Sequence, residues 1–181
     1  MRLVLILLMT LFSANAQAKW NSYIGTNLIY SELKDDKPLD RHEQITAPEF
    51  SGITYGEAFE LDNKITIFVG TNRLYNKAQK RQLSVNGNNI LSSTRIRADY
   101  VTVGRRYGRY IPGLTLSNNQ LRTKLYYKGS MIENSKKSAL LYGLNLTTLL
   151  NKKISFNTTY VFGNDEFNLD YAVIVGLNYN F

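Results

Sequence analysis

From Tyr171 to Phe181 the chain alternates with a period of two. Tyr171, Val173, Val175, Leu177, Tyr179 and Phe181 make one apolar face, and Ala172, Ile174, Gly176, Asn178 and Asn180 make a second face of mostly small or polar residues. That period puts successive side chains on opposite sides of an extended backbone. The segment therefore reads as a strand with one side in an apolar medium and the other packed among small polar groups.

The amino-terminal end narrows what that medium is. Arg2 supplies a short positive region, Leu3 to Phe12 an apolar run, and Ala16-Gln17-Ala18 a small-x-small cleavage site before Lys19. The run is too short to span a bilayer as a helix, which needs roughly 20 residues. Residues 1–18 are accordingly expected to be a cleaved secretory signal, with 19–181 forming one domain. A secreted chain that closes on such a strand points to an outer-membrane β-barrel.

Composition supports this. Cysteine is absent, so the chain has no disulfide framework, thiol nucleophile or thiolate metal site. Downstream of the signal no long apolar run occurs, which excludes helical spans. Thirteen tyrosines and three prolines, with abundant Asn, Thr and Gly, favour strands and turns. The formal charge is +8, and loss of Arg2 lowers it to +7, so the mature chain is basic.

Eight strands are expected. The first, about Trp20 to Ser31, puts Trp20, Ile24, Leu28 and Tyr30 on one face. The third aligns Ile65, Ile67, Val69 and Thr71, and the sixth Leu140, Tyr142, Leu144 and Leu146. The seventh aligns Ile154, Phe156, Thr158, Tyr160 and Phe162 opposite Ser155, Asn157, Thr159 and Gly163. Short turns fall at Asp62-Asn63, Tyr107 to Arg109 and Asn151-Lys152, and longer connections near 32–49, 74–93, 119–137 and 164–169. Short turns on one side and longer loops on the other suit an outer-membrane barrel with its loops outside the cell. Because backbone groups in hydrocarbon must be paired, the strands are expected to close into a ring. The fold class is thus all-β: a closed antiparallel up-and-down transmembrane β-barrel of eight strands, with an interior filled by side chains.

Two strands carry charges on awkward faces. In the second, Glu57 shares a face with Ile53, Tyr55, Phe59 and Leu61, so it lies near the interface or a bulge changes the register. In the fourth, Ile96, Ala98, Tyr100 and Thr102 face lipid only if Arg97 and Asp99 point inward. Inward Arg97, Asp99 and Glu60 would then form a structural charge network.

With its signal, length, alternating strands and final Tyr179-Asn180-Phe181, the mature chain resembles the small eight-stranded outer-membrane proteins of the OmpX, attachment-invasion-locus and opacity type. The terminal strand also resembles the carboxy-terminal assembly signal of such proteins. On that resemblance Tyr179 and Phe181 would be read by the barrel-assembly machinery. It further implies adhesion, complement evasion or an envelope role, and it transfers no catalytic residue, since these proteins share no catalytic motif.

The single histidine, His42, stands in the first long loop beside Asp40, Arg41 and Glu43. Lipid A palmitoyltransferases and deacylases of the outer membrane use a histidine with a serine. Here Ser84, Ser92 and Ser93 lack a neighbouring carboxylate, and nothing after His42 supplies a second histidine. Asp35, Asp36, Asp40, Glu43 and Glu49 lack the ordered spacing of a calcium loop. No catalytic residue, metal site or cofactor is assigned. A lipid A-modifying enzyme and a small channel remain the alternative readings.

Charge distribution carries the functional signal. Lys64, Arg73, Lys77, Lys80, Arg81, Arg95 and Arg97 stand in one stretch with no acidic residue, and Arg122, Lys124, Lys128, Lys136 and Lys137 follow against Glu133. The first loop is acidic through Glu32, Asp35, Asp36, Asp40, Glu43 and Glu49, and the fourth carries Asp165 and Glu166. Closing the ring places loops one and four together and loops two and three opposite, giving a polarised outer mouth. Arg73, Lys77, Lys80, Arg81, Arg122, Lys124, Lys128, Lys136 and Lys137 are the candidate basic rim. Its expected partners are outer-membrane lipid and lipopolysaccharide phosphates, or host matrix and serum factors. Nucleic acid is not expected, because no aromatic stacking platform accompanies the charge.

Overall fold

The computed structural model describes residues 19–33, 50–61, 63–76, 79–81, 90–127, 130–167 and 169–181. Its strands are β1 (Lys19–Leu33), β2 (Phe50–Glu60), β3 (Ile65–Asn76), β4 (Gln79–Arg81), β5 (Ile90–Arg105), β6 (Tyr110–Tyr127), β7 (Ser130–Leu149), β8 (Ile154–Asn164) and β9 (Leu169–Asn180). Every pairing is antiparallel between neighbours, and β3 pairs with β5 to close the ring. Eight strands make the barrel, and short β4 adds to the upper end of β5.

The registers fix the shape. Thr66 pairs with Gly104, which pairs with Gly113, then Asn145, Thr159, Ile174, Ile29 and Phe50 in turn, and Phe50 returns to β3 at Asn76. One circuit therefore climbs from Thr66 to Asn76. A stagger of about ten residues over eight strands tilts them by roughly 40°. Each residue along a strand then rises about 2.5 Å along the barrel axis, and each strand step at fixed register about 3 Å.

One end has tight connections. Lys64 and Gly108 both sit at positive φ there, 64° and 60°, and Asn151 Oδ1 accepts hydrogen bonds from the backbone of Lys153 and Ile154, 2.8 Å each. At the opposite end, β5, β6 and β7 run on. The segment 119–137, expected as a loop, is mostly a hairpin: β6 and β7 stay paired to Tyr127↔Ser130 with one register shift after Leu125. Likewise, the 74–93 connection contains β3 to Asn76 and the β4–β5 pairing. Backbone pairing along a continuing antiparallel ladder outweighs the polar composition that suggests a loop. The fourth connection holds a 3-10 turn, Asp165–Phe167.

Inside, the barrel has two layers. Toward the tight-turn end the lumen is mostly polar: Asn27 Nδ2 donates to Asn72 Oδ1 at 2.9 Å, and Asn145 Nδ2 to Thr159 Oγ1 at 2.8 Å. Above it lies an apolar collar of Ile29, Phe50, Leu74, Leu141, Val161 and Ala172, against which Ile96 and Ile174 pack. Leu74 is only 1% exposed. Outward, Leu28, Leu114, Leu140, Tyr142 and Leu144 are exposed, as a lipid-facing wall requires. The outward sets expected for β3, β7, β8 and β9 are observed, as are Ile24, Leu28 and Tyr30 of the β1 set.

In β5 the expected facing is reversed. Ala98 and Thr102, each 4% exposed, point into the lumen with Tyr100, while Arg97 and Asp99 point outward. Val101 and Val103 set this parity: they pair with Val69 and Ile67 and with Leu116 and Leu114 on the outer wall. Only Glu60 of the expected charge network faces the lumen side, where its carboxylate accepts from Arg106 Nη1 at 2.7 Å near the tight turns. Glu57 is outward and exposed, in an unbroken register opposite Ser22 and Val69, close to the tight-turn end.

Candidate functional site

Antiparallel pairing brings side chains of neighbouring strands to about 5 Å on one face, where like charges opposite one another are destabilising. The outer wall of β3, β5, β6 and β7 contains three such oppositions. Arg73 faces Arg97 across β3–β5, Arg95 faces Arg122 across β5–β6, and Arg122 faces Lys136 across β6–β7. All five are exposed. Among the described side chains of these strands, Asp99 is the sole carboxylate, held by Thr71 Oγ1 at 2.7 Å and Arg97 Nε at 3.3 Å.

Aromatic rings and an amide orient these cations. The Arg73 guanidinium lies over Tyr55 at 5.8 Å, and that of Arg95 over Tyr75 at 5.6 Å. Arg122 Nε donates to Asn134 Oδ1 at 3.0 Å. A guanidinium over a ring face can keep N–H groups free to grip an oxyanion. Such an arrangement can pair with anionic oxygens.

Of the expected rim, Arg73, Arg122 and Lys136 lie on this wall. Lys124 stands above them on the same face, opposite Ser93 and Asn134. Lys137 takes the other face, opposite Leu121. Lys80 and Arg81 lie in β4, paired with Leu91 and Ile90. Lys77 and Lys128 fall outside the described residues, as do His42 and the acidic first loop beyond Glu32, which lies in β1. The arrangement is thus a wall beside the mouth, and it adds Arg95 and Arg97. The valines of β5 were the signal that could have found them. Tyr179 and Phe181 are outward, ring to ring at 5.2 Å, and the Phe181 N–H donates to Ser22 O at 2.8 Å.

Ring closure, a lipid-facing girdle and a filled lumen define the small eight-stranded outer-membrane barrels. Among solved structures, the chain is similar to Ail, the attachment invasion locus protein of Yersinia pestis, in complex with the heparin analogue sucrose octasulfate. The TM-score is 0.62 at 15% identity, covering 92% of this chain and 100% of that one. Ail without that ligand matches with a TM-score of 0.61 at 15% identity, covering 90% and 97%. At this identity the likeness is one of fold. No protein-family model and no curated protein matches the chain.

Proposed function

We propose that this is a surface protein of the bacterial outer membrane, with its long-strand end outside the cell, that captures anionic polymers in adhesion or colonisation. The observation that carries it is the run Arg95, Arg122 and Lys136 on three adjacent strands. These positions lie about 26 to 32 Å above Thr66 along the axis, clear of a girdle about 25 Å tall. Three cations opposed across a sheet cost stability, and an anionic ligand offsets that cost. Sulfated glycans and acidic host matrix or serum proteins fit, and the sulfated ligand of Ail supports the reading by analogy of fold. Lipopolysaccharide phosphates and the barrel-assembly machinery complete the partner set.

The test is titration of the protein in nanodiscs with heparin oligosaccharides at two ionic strengths. Binding that weakens several-fold with salt and with Arg122→Glu is expected. Binding indifferent to both contradicts the reading.

A further inference from the structure

The apolar girdle is not the same height all round. On β9 the outward residues Tyr179, Leu177, Val175, Val173 and Tyr171 carry it from about 3 to about 23 Å above Thr66. Tyr30 on β1 and Phe162 on β8 reach about 20 Å. On the opposite side it stops early. β3 changes from Val69 to Thr71 and Arg73, β5 from Val101 to Asp99 and Arg97, and β6 from Leu116 to Asn118 and Gln120. There the continuous apolar surface ends near 12 Å, about 10 Å lower than on β9, and Tyr75 is the next outward ring on β3, above Arg73.

Arg73, Arg97 and Asp99 therefore sit at a depth where the far wall is still hydrocarbon-facing. Arginine alone can snorkel upward along its stem. Asp99 is too short to do so, and its carboxylate is fixed by Thr71 and by Arg97. A carboxylate at that depth requires polar material to come down to it. A second copy of this wall is disfavoured, since Arg73, Arg95 and Arg97 would meet their own kind. The excess of guanidinium over carboxylate selects an anionic headgroup, and Gln120, exposed beside Arg97, suits its sugar hydroxyls.

We infer that the β3–β5–β6 wall seats the phosphorylated headgroup of an outer-leaflet glycolipid about 10 Å deeper than the rest of the barrel does, thinning that leaflet locally. The inference rests on the long-strand end facing outward. Labelling of Lys136→Cys in intact cells with a membrane-impermeant thiol reagent tests that orientation separately.

The chain has no cysteine, so single spin labels need no background substitutions. Asn118→Cys and Val173→Cys lie at matched heights, about 18 Å above Thr66, on the two walls. Depth is read from oxygen and nickel-chelate collision rates in vesicles of phosphatidylcholine with bisphosphorylated lipid A. The label at 118 should report headgroup depth and that at 173 hydrocarbon, about 10 Å apart. Arg73→Leu with Arg97→Leu should move the label at 118 into hydrocarbon. If that variant fails to fold, dephosphorylated lipid A with the arginines intact should produce the same shift. Equal depths at 118 and 173, or a difference that persists with dephosphorylated lipid A, overturns the inference.

Discussion

Tyr23 and Tyr100, 77 residues apart in the chain, meet hydroxyl to hydroxyl at 2.6 Å inside the barrel, and Thr54 Oγ1 lies 3.0 Å from the Tyr100 hydroxyl. The pair bridges β1 and β5, which are not neighbours in the sheet. Gly56 and Gly70 leave the room: a Cβ at Gly70 would stand 2.6 Å from the Tyr23 hydroxyl and 2.8 Å from that of Tyr100.

Tyr100→Phe removes a hydroxyl shared by two partners and should lower stability by about 1–3 kcal/mol. Gly70→Ala should cost roughly 1–3 kcal/mol by overpacking. Adding Tyr23→Phe to Gly70→Ala should recover part of that loss, since it removes the nearest clashing atom, while the Tyr100 hydroxyl and Tyr55 O, each at 2.8 Å, remain in the way. Urea refolding titrations in lipid vesicles measure all three. Strict additivity of the two substitutions would show that the cross-barrel contact does not limit the site.

Unequal girdle height makes a second prediction. Val175 and Val101 both face outward at about 11 to 13 Å above Thr66. Val175→Arg should cost about 2–4 kcal/mol, as at a bilayer midplane, and Val101→Arg about 0–1 kcal/mol, as near an interface. Folding free energies in vesicles of one chain length decide it. Equal losses would mean that the membrane is flat around the barrel.

The sequence carried the barrel well and the charged wall badly, for one physical reason. Where a strand alternates cleanly, as in Ile154 to Phe162, the polar face must be the lumen, and the face assignment follows. In β5 both faces hold apolar and polar residues, so parity was decided by partners distant in sequence: Val69 and Leu116 on one side, and Tyr23 on the other. Placing Ala98 toward lipid shifts the whole strand by one face and turns Arg97 and Asp99 inward. The polar content of 119–137 concealed a strand pair for a related reason, because a ladder above the membrane needs no lipid-facing apolar residues.

Phe181 should matter more for assembly than for the stability of the finished barrel. Its ring is exposed and touches Tyr179, and its backbone N–H is bonded to Ser22 O. Deleting Phe181 should leave precursor in the periplasm of pulse-labelled cells, while protein refolded in vitro should lose about 1 kcal/mol or less. A normal yield of heat-modifiable barrel in the deletion strain would remove Phe181 from the assembly signal.

Attachment of expressing cells to heparin-coated surfaces tests the basic wall most directly. At matched surface levels, Arg95→Glu with Arg122→Glu and Lys136→Glu should abolish most attachment, and attachment by the unaltered protein should fall as salt rises, since exposed charges are screened within about 8 Å at physiological ionic strength. Glu166→Lys, in the 3-10 turn of the fourth connection, should leave attachment undiminished. Salt-independent attachment that survives the triple reversal would contradict capture by this wall.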